Sequence, residues 1–240
     1  MVIDAHVHLK GGDRYKREFP PDLIVRQMDE AGVDKAVVFS ICLPSRESNL
    51  LTKRAVEAHP DRLIPFAHAV PEEGEAAVDA LEEAVSEWGF KGLKLHMGEV
   101  EGEPSVELLS PLIERATELR IPVLIDCVQN LPLARALADS FPECTFIVAH
   151  LGAHADEDLN VKFALLARER ENVYLDTSWV DHYWRMADVV RICGPDKLIF
   201  GSDAPLYHPL VELTKIKILR LPPEDEAKIL GGNIAKLLGL

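Results

Sequence analysis

Long apolar runs are missing from this 240-residue sequence, and with them any stretch fit to cross a bilayer as a helix. Cysteine is scarce. Cys42, Cys127, Cys144 and Cys193 stand far apart with no Cys-x-x-Cys pair, which excludes the usual thiolate zinc spacing and points to free thiols. With no secretory leader ahead of them, the cytoplasm is the expected location. Positive charge is also short: 26 Lys and Arg face 40 Asp and Glu, for a net charge of -14. Such a chain repels phosphate backbones and anionic lipid, so neither nucleic acid nor a membrane is an expected partner. Glutamine occurs only at Gln27 and Gln129, which together with charged helix faces suits a heat-adapted source. No Gly, Ser or Pro linker divides the chain, and residues 1–240 read as one domain.

What is present is alternation. Short β-branched runs near 2–8, 35–40, 63–68, 91–96, 122–126, 145–149, 172–176 and 197–201 read as strands. Amphipathic stretches at 21–31, 47–58, 73–87, 105–119, 131–140, 156–170, 183–192 and 209–219 read as the helices between them. A final helix pair, 223–230 and 233–238, is expected to be broken by Gly231-Gly232. Eight strands with helical crossovers predict an α/β chain closed as a (β/α)₈ barrel with an extra C-terminal helix. A flavodoxin-like open sheet would need a glycine-rich phosphate turn after a strand, and Gly11-Gly12 lacks that pattern.

In such a barrel the chemistry gathers at the C-terminal strand ends. There the sequence places His6 and His8, then His68, Lys94 and His96, Asp126, His150, Asp176 and Asp203. His6 and His8, two apart on a strand, point to one side and converge as a metal site requires. A lone strand histidine is more often a satisfied core residue. Three aspartates buried beside one another, however, call for positive charge, which a metal ion supplies. Asp4 is expected on the same face, deeper, as a hydrogen-bond partner for the site. Trp179, with His182, Tyr183 and Trp184, could wall a pocket, and His154 and His208 sit in loops over the same rim. Arg46 and Lys10 are candidates to hold a substrate carboxylate.

Several segments resemble successive signatures of the amidohydrolase superfamily. They are Val2-Ile3-Asp4-Ala5-His6-Val7-His8, Gly92-Leu93-Lys94-Leu95-His96, Val148-Ala149-His150-Leu151-Gly152, Leu175-Asp176-Thr177-Ser178 and Phe200-Gly201-Ser202-Asp203-Ala204-Pro205. The chain is similar from end to end to the amidohydrolase-related branch that includes aminocarboxymuconate-semialdehyde decarboxylase. The resemblance implies a metal-dependent barrel in which His6, His8, His150 and Asp203 match ligand or catalytic positions. At the fifth strand relatives read Pro-Val-Leu-Ile-His-Thr-Gly, whereas this chain has Pro122-Val123-Leu124-Ile125-Asp126-Cys127-Val128. Asp126 then stands where a histidine ligand would. Carboxylate also binds zinc or manganese, so the expected metal set is His6, His8, Asp126, His150 and Asp203. Lys94, His96, His68, Asp176 and Trp179 are expected around the pocket. Some superfamily members carry a carboxylated lysine at the strand of Lys94, but this branch does without one.

The expected cofactor is a divalent ion, zinc first, with manganese, iron or magnesium admitted by the oxygen ligands. The expected partner is a small-molecule substrate, and homodimerisation is open. Hydrolysis of a small amide, lactone or ester by a metal-activated water leads, with Asp203 as base and His150 as oxyanion support or proton shuttle. Non-oxidative decarboxylation of a small carboxylic acid is second; the decarboxylases of the branch look longer than this compact chain. A barrel with a lapsed metal site kept for binding is third.

Overall fold

A computed structural model describes residues 1–240. The chain alternates β1 (Ile3–Lys10), α1 (Pro21–Ala31), β2 (Lys35–Ser40), α2 (Ser45–Ala58), β3 (Leu63–Pro65), β4 (Ala67–His68), α3 (Glu75–Glu82), β5 (Leu93–His96) and α4 (Val106–Glu118). It continues with β6 (Val123–Asp126), α5 (Leu131–Ser140), β7 (Phe146–Val148), α6 (Glu157–Glu169), β8 (Val173–Asp176), α7 (Tyr183–Cys193), β9 (Leu198–Ile199) and α8 (Pro209–Lys217), then α9 (Pro223–Ala227) and α10 (Asn233–Leu238). All strand pairs are parallel and run in chain order. No helix is long and apolar enough to cross a membrane.

The ring is closed by backbone bonds between β1 and the segment that follows β9: Ala5 N to the Phe200 carbonyl at 2.9 Å, Asp203 N to that of His6 at 2.9 Å, and His8 N to that of Ala204 at 2.7 Å. The expected third strand, 63–68, is interrupted. Its lower half pairs with β2 and its upper half with β5, the change falling at Phe66. The Phe66 amide bonds to the Val38 carbonyl at 3.0 Å and the Ala67 amide to that of Gly92 at 2.8 Å, so one barrel strand is shared between two neighbours. The helices start where the sequence offers caps: Ser105, Asn130 and Asp156 accept from the amides of Leu108, Leu133 and Leu159.

Two apolar layers follow from strand alternation. Alternate residues such as Val38, Leu93, Val123 and Phe146 face the helices, while Val37, Phe39, Leu124, Ile147 and Ile199 fill the barrel interior with Ile3, Ala5 and Phe66. On β1 the alternation reverses. Ile3 and Ala5 join the interior, yet Val7 and Leu9 join the outer layer, with a register shift between Asp4 and Val7. This bulge turns His6 and His8 inward above the apolar plug, against the Phe39 ring.

The Gly231-Gly232 break expected from sequence is not found. Residues 228–232 form a wide helical turn joining α9 to α10, with Gly232 at φ -60° and ψ -44°. Glycine at 231 is required by contact: a Cβ there would lie 2.3 Å from the Met1 carbonyl oxygen. The expected helix 73–87 likewise begins with a tight turn at Pro71–Glu73 and widens at Glu83–Glu87.

Gly231→Ala should therefore destabilise the fold by about 1–3 kcal/mol in urea unfolding. Gly232→Ala, whose Cβ would lie 3.2 Å from the Ala227 carbonyl oxygen, should cost less than Gly231→Ala in the same measurement.

Candidate metal centre

At the top of the plug the side chains converge. His6 Nε2 lies 3.3 Å from His8 Nε2 and 3.4 Å from Asp203 Oδ1, and His8 Nε2 lies 2.9 Å from the same oxygen. Metal bonds of about 2.0 to 2.1 Å in a tetrahedron set donor atoms about 3.3 to 3.4 Å apart, so this trio has the spacing of one coordination face. A second trio, His6, His150 and Asp176, shares His6.

Partners behind His6 and His150 fix their tautomers, whereas the buried His8 Nδ1 has no partner. His6 Nδ1 donates to Asp176 Oδ2 at 2.7 Å, which leaves Nε2 as a lone pair aimed at the trio. Burial, reinforced by the nearby Lys94 charge, takes the His6 imidazole down to about 4 and keeps it neutral. His150 Nδ1 donates to the Ser178 carbonyl at 3.0 Å, so its Nε2 is also the acceptor end. Ser178 Oγ sits 3.2 Å from His6 Nδ1 and 3.0 Å from His150 Nδ1 and bonds to Asp176. Asp4 accepts from the Ser202 amide at 2.9 Å, from Ser202 Oγ at 2.5 Å and from the His6 amide at 3.2 Å. It thereby ties β1 to the turn carrying Asp203. Burial pushes the Asp4 carboxyl up to about 7.

Asp126, Asp176 and Asp203 are each held below the ordinary carboxylate range despite burial, by the surrounding histidines, joined at Asp126 by Lys94. Lys94 is fully buried with Nζ 3.3 Å from His6 Nε2, and burial lowers its own pKa. Even a protonated Lys94 offsets only one of the three carboxylates, and the two remaining charges match a divalent cation. Donor spacing, the neutral His6 imidazole and charge all fit such an ion.

The other expected residues fall into place around this point or away from it. Asp126 belongs to neither trio: its Oδ2 is 3.4 Å from His96 Nε2 and 3.7 Å from His150 Nε2. His68 is buried beside Glu99, at 3.4 Å, outside the convergence. Trp179 lies with its ring between His154, 4.4 Å away, and Tyr207, 5.6 Å away, and meets His150 edge-on. Tyr183 and Trp184 are exposed on α7, and His208 caps α8 while bonding to Glu30, so none of these walls the site. Arg46 is held in a fork by Glu83, and Lys10 bonds to the Lys16 carbonyl; both cations expected to hold substrate are engaged elsewhere. Ser178, Ser202 and Glu99 were not foreseen. For Ser178 a signal existed, since Asp176 and Ser178 are two apart at a strand end, where a serine can bond back to the aspartate.

The sequence profile of the amidohydrolase family matches residues 3–240. The chain belongs to this family. No curated protein matches the sequence. Among solved structures it is similar to 4-oxalomesaconate hydratase from Rhodopseudomonas palustris, with 20% identity over 100% of this chain and 96% of that one and a TM-score of 0.77. It is also similar to a dihydroxybenzoic acid decarboxylase from Polaromonas sp. JS666 holding manganese and an inhibitor (18% identity, 100% and 97% covered, TM-score 0.78). A third is a probable 2-pyrone-4,6-dicarboxylic acid hydrolase from Acinetobacter baumannii with citric acid bound (17% identity, 100% and 99% covered, TM-score 0.76). At these identities the likeness is one of fold.

Burial takes the His68 imidazole down to about 4 from 6.5. Below pH 6.5 the unfolded chain thus binds a proton that the fold resists, and stability at this residue falls as pH drops from 6.5 to 4. Melting temperatures across that window should fall less steeply in His68→Gln than in the wild type; parallel curves would count against a neutral buried His68.

Proposed function

We propose that the chain is a metal-dependent hydrolase of a small amide, lactone or ester. The observation that carries this reading is the mutual spacing of His6 Nε2, His8 Nε2 and Asp203 Oδ1, within 2.9 to 3.4 Å of one another. His6, His8 and Asp203 would hold the ion, with His150 and Asp126 beside it. When bound, a divalent ion polarises a scissile carbonyl and makes water more acidic.

The protein's own groups then have separable tasks. With Asp203 Oδ1 turned toward the ion beside His6 and His8, the other carboxylate oxygen would be left to accept the proton of the attacking water and pass it to the leaving group. His150, with Nδ1–H held by the Ser178 carbonyl, offers Nε2 as a proton acceptor, and Asp126 at 3.7 Å stabilises the resulting imidazolium. Lys94, buried with its Nζ 3.3 Å from His6 Nε2, would balance one carboxylate charge when protonated. The backbone at His150 and Asp203 has φ of +59° and +65°, a left-handed conformation costing about 1–3 kcal/mol each, which supports a site held by its surroundings.

Decarboxylation is the second reading, because structural relatives include enzymes named for it. Protein purified without added metal should contain close to one divalent ion per chain, and His6→Ala or His8→Ala should lose it while remaining folded. A panel of lactones, esters and anilides, run beside an assay for released carbon dioxide on aromatic and unsaturated acids, separates the reactions. Hydrolysis in the wild type, lost by at least a hundredfold in metal-retaining Asp203→Asn, is expected. Carbon dioxide release without hydrolysis would replace the first reading by the second, and metal-free wild type would support a binding role.

A further inference from the structure

We infer that Lys215, anchored by the buried Glu212, is a positioning residue for His150, acting through the loop that follows β8. Glu212 and Lys215 lie on α8. The Glu212 side chain is 1% exposed, and its Oε1 accepts from Lys215 Nζ at 2.7 Å. Lys215 Nζ makes a second bond, to the Val180 carbonyl at 3.0 Å. Two residues earlier the Ser178 carbonyl receives His150 Nδ1–H, and Ser178 Oγ stands against both His6 and His150. One ammonium therefore fixes the far end of the short segment whose near end sets the imidazole.

That segment needs fixing. Trp179, between the two contacts, has φ +47°, a conformation unfavourable for a bulky residue. Besides the bonds of Ser178 to Asp176 and the burial of Val180, three restraints meet there: the ring stack with His154 and Tyr207, the Asp181 amide bonded to the His154 carbonyl at 2.9 Å, and the Lys215 bond to Val180. The first two join the β8 loop to the neighbouring β7 loop and to the turn after Asp203. The third alone ties it to a helix, a rigid element that does not share the mobility of loops. A buried carboxylate placed to hold a lysine is costly unless its partner is secured, and burial pushes Glu212 up to about 6 even beside Lys215. Retaining such a pair is understandable if its purpose is to aim the ammonium. Its loss would let the segment relax toward ordinary backbone angles and withdraw the Ser178 carbonyl from His150.

This inference rests on His150 belonging to the site proposed above, but not on which reaction occurs there. The test uses zinc-loaded protein labelled with nitrogen-15 in its histidines, and reads the solvent exchange of the His150 Nδ1–H proton. Glu212→Gln/Lys215→Met removes both charges together, so no unpaired ion is left buried. Exchange should quicken at least tenfold, with zinc content and the cooperativity of unfolding unchanged, while Lys215→Arg, which still reaches the Val180 carbonyl, should stay within twofold of the wild type. Exchange in the double variant within twofold of the wild type would overturn the inference, as would a wild-type Nδ1 bearing no proton. Zinc content is scored separately: failure of the wild type to hold zinc would count against the proposed function, while the exchange comparison remains readable on metal-free protein.

Discussion

Three carboxylates gathered at one end of a closed apolar cylinder are the constraint around which the rest is arranged. Asp126, Asp176 and Asp203 lie close together with Lys94 as the one lysine among them. Removing such charges from water costs several kcal/mol each unless they are paired and hydrogen-bonded. The protein meets that cost with imidazole N–H groups, serine hydroxyls and backbone amides, and the geometry turns the Nε2 atoms of His6 and His150 away from those bonds, with Lys94 Nζ 3.3 Å from that of His6. Imidazole nitrogens beside uncompensated negative charge are what a divalent cation binds.

The barrel supplies the place for this arrangement. Its interior is plugged by apolar side chains from Ile3 to Ile234, so the polar groups sit on a dry floor rather than in a channel. Closure between β1 and the segment after β9 brings Asp203 onto His6 and His8 through backbone bonds that accompany the side-chain contacts. Asp4 and Ser202 strengthen the same seam. Fold closure and assembly of the trio are thus one event, and strain at the site is carried by a scaffold with little freedom to relax it.

Much of this was legible in the sequence because it is periodic. Strand–helix alternation specified the barrel, and strand-end polar residues at Lys94, Asp126 and Asp176 fell inward as their spacing required. Other features depend on contacts between distant segments. The β1 bulge has no local marker, yet it decides that His6 and His8 share the interior with Ile3 and Ala5. Gly231 reads locally as a helix breaker and is instead a point of close approach to Met1, 230 residues earlier in the chain. Arg46 and Lys10 were plausible substrate contacts by type, but their partners, Glu83 and the Lys16 carbonyl, could be found only in three dimensions. Glu212, within a helix of ordinary composition, gave no sign of being buried.

A crystal structure of the protein grown with zinc or manganese, with the ion located by its anomalous scattering, tests the metal centre most directly. One ion is expected within about 2.0–2.2 Å of His6 Nε2, His8 Nε2 and an Asp203 oxygen if zinc is bound. An ion bound elsewhere, or these three side chains well ordered and uncoordinated at saturating metal, would contradict it.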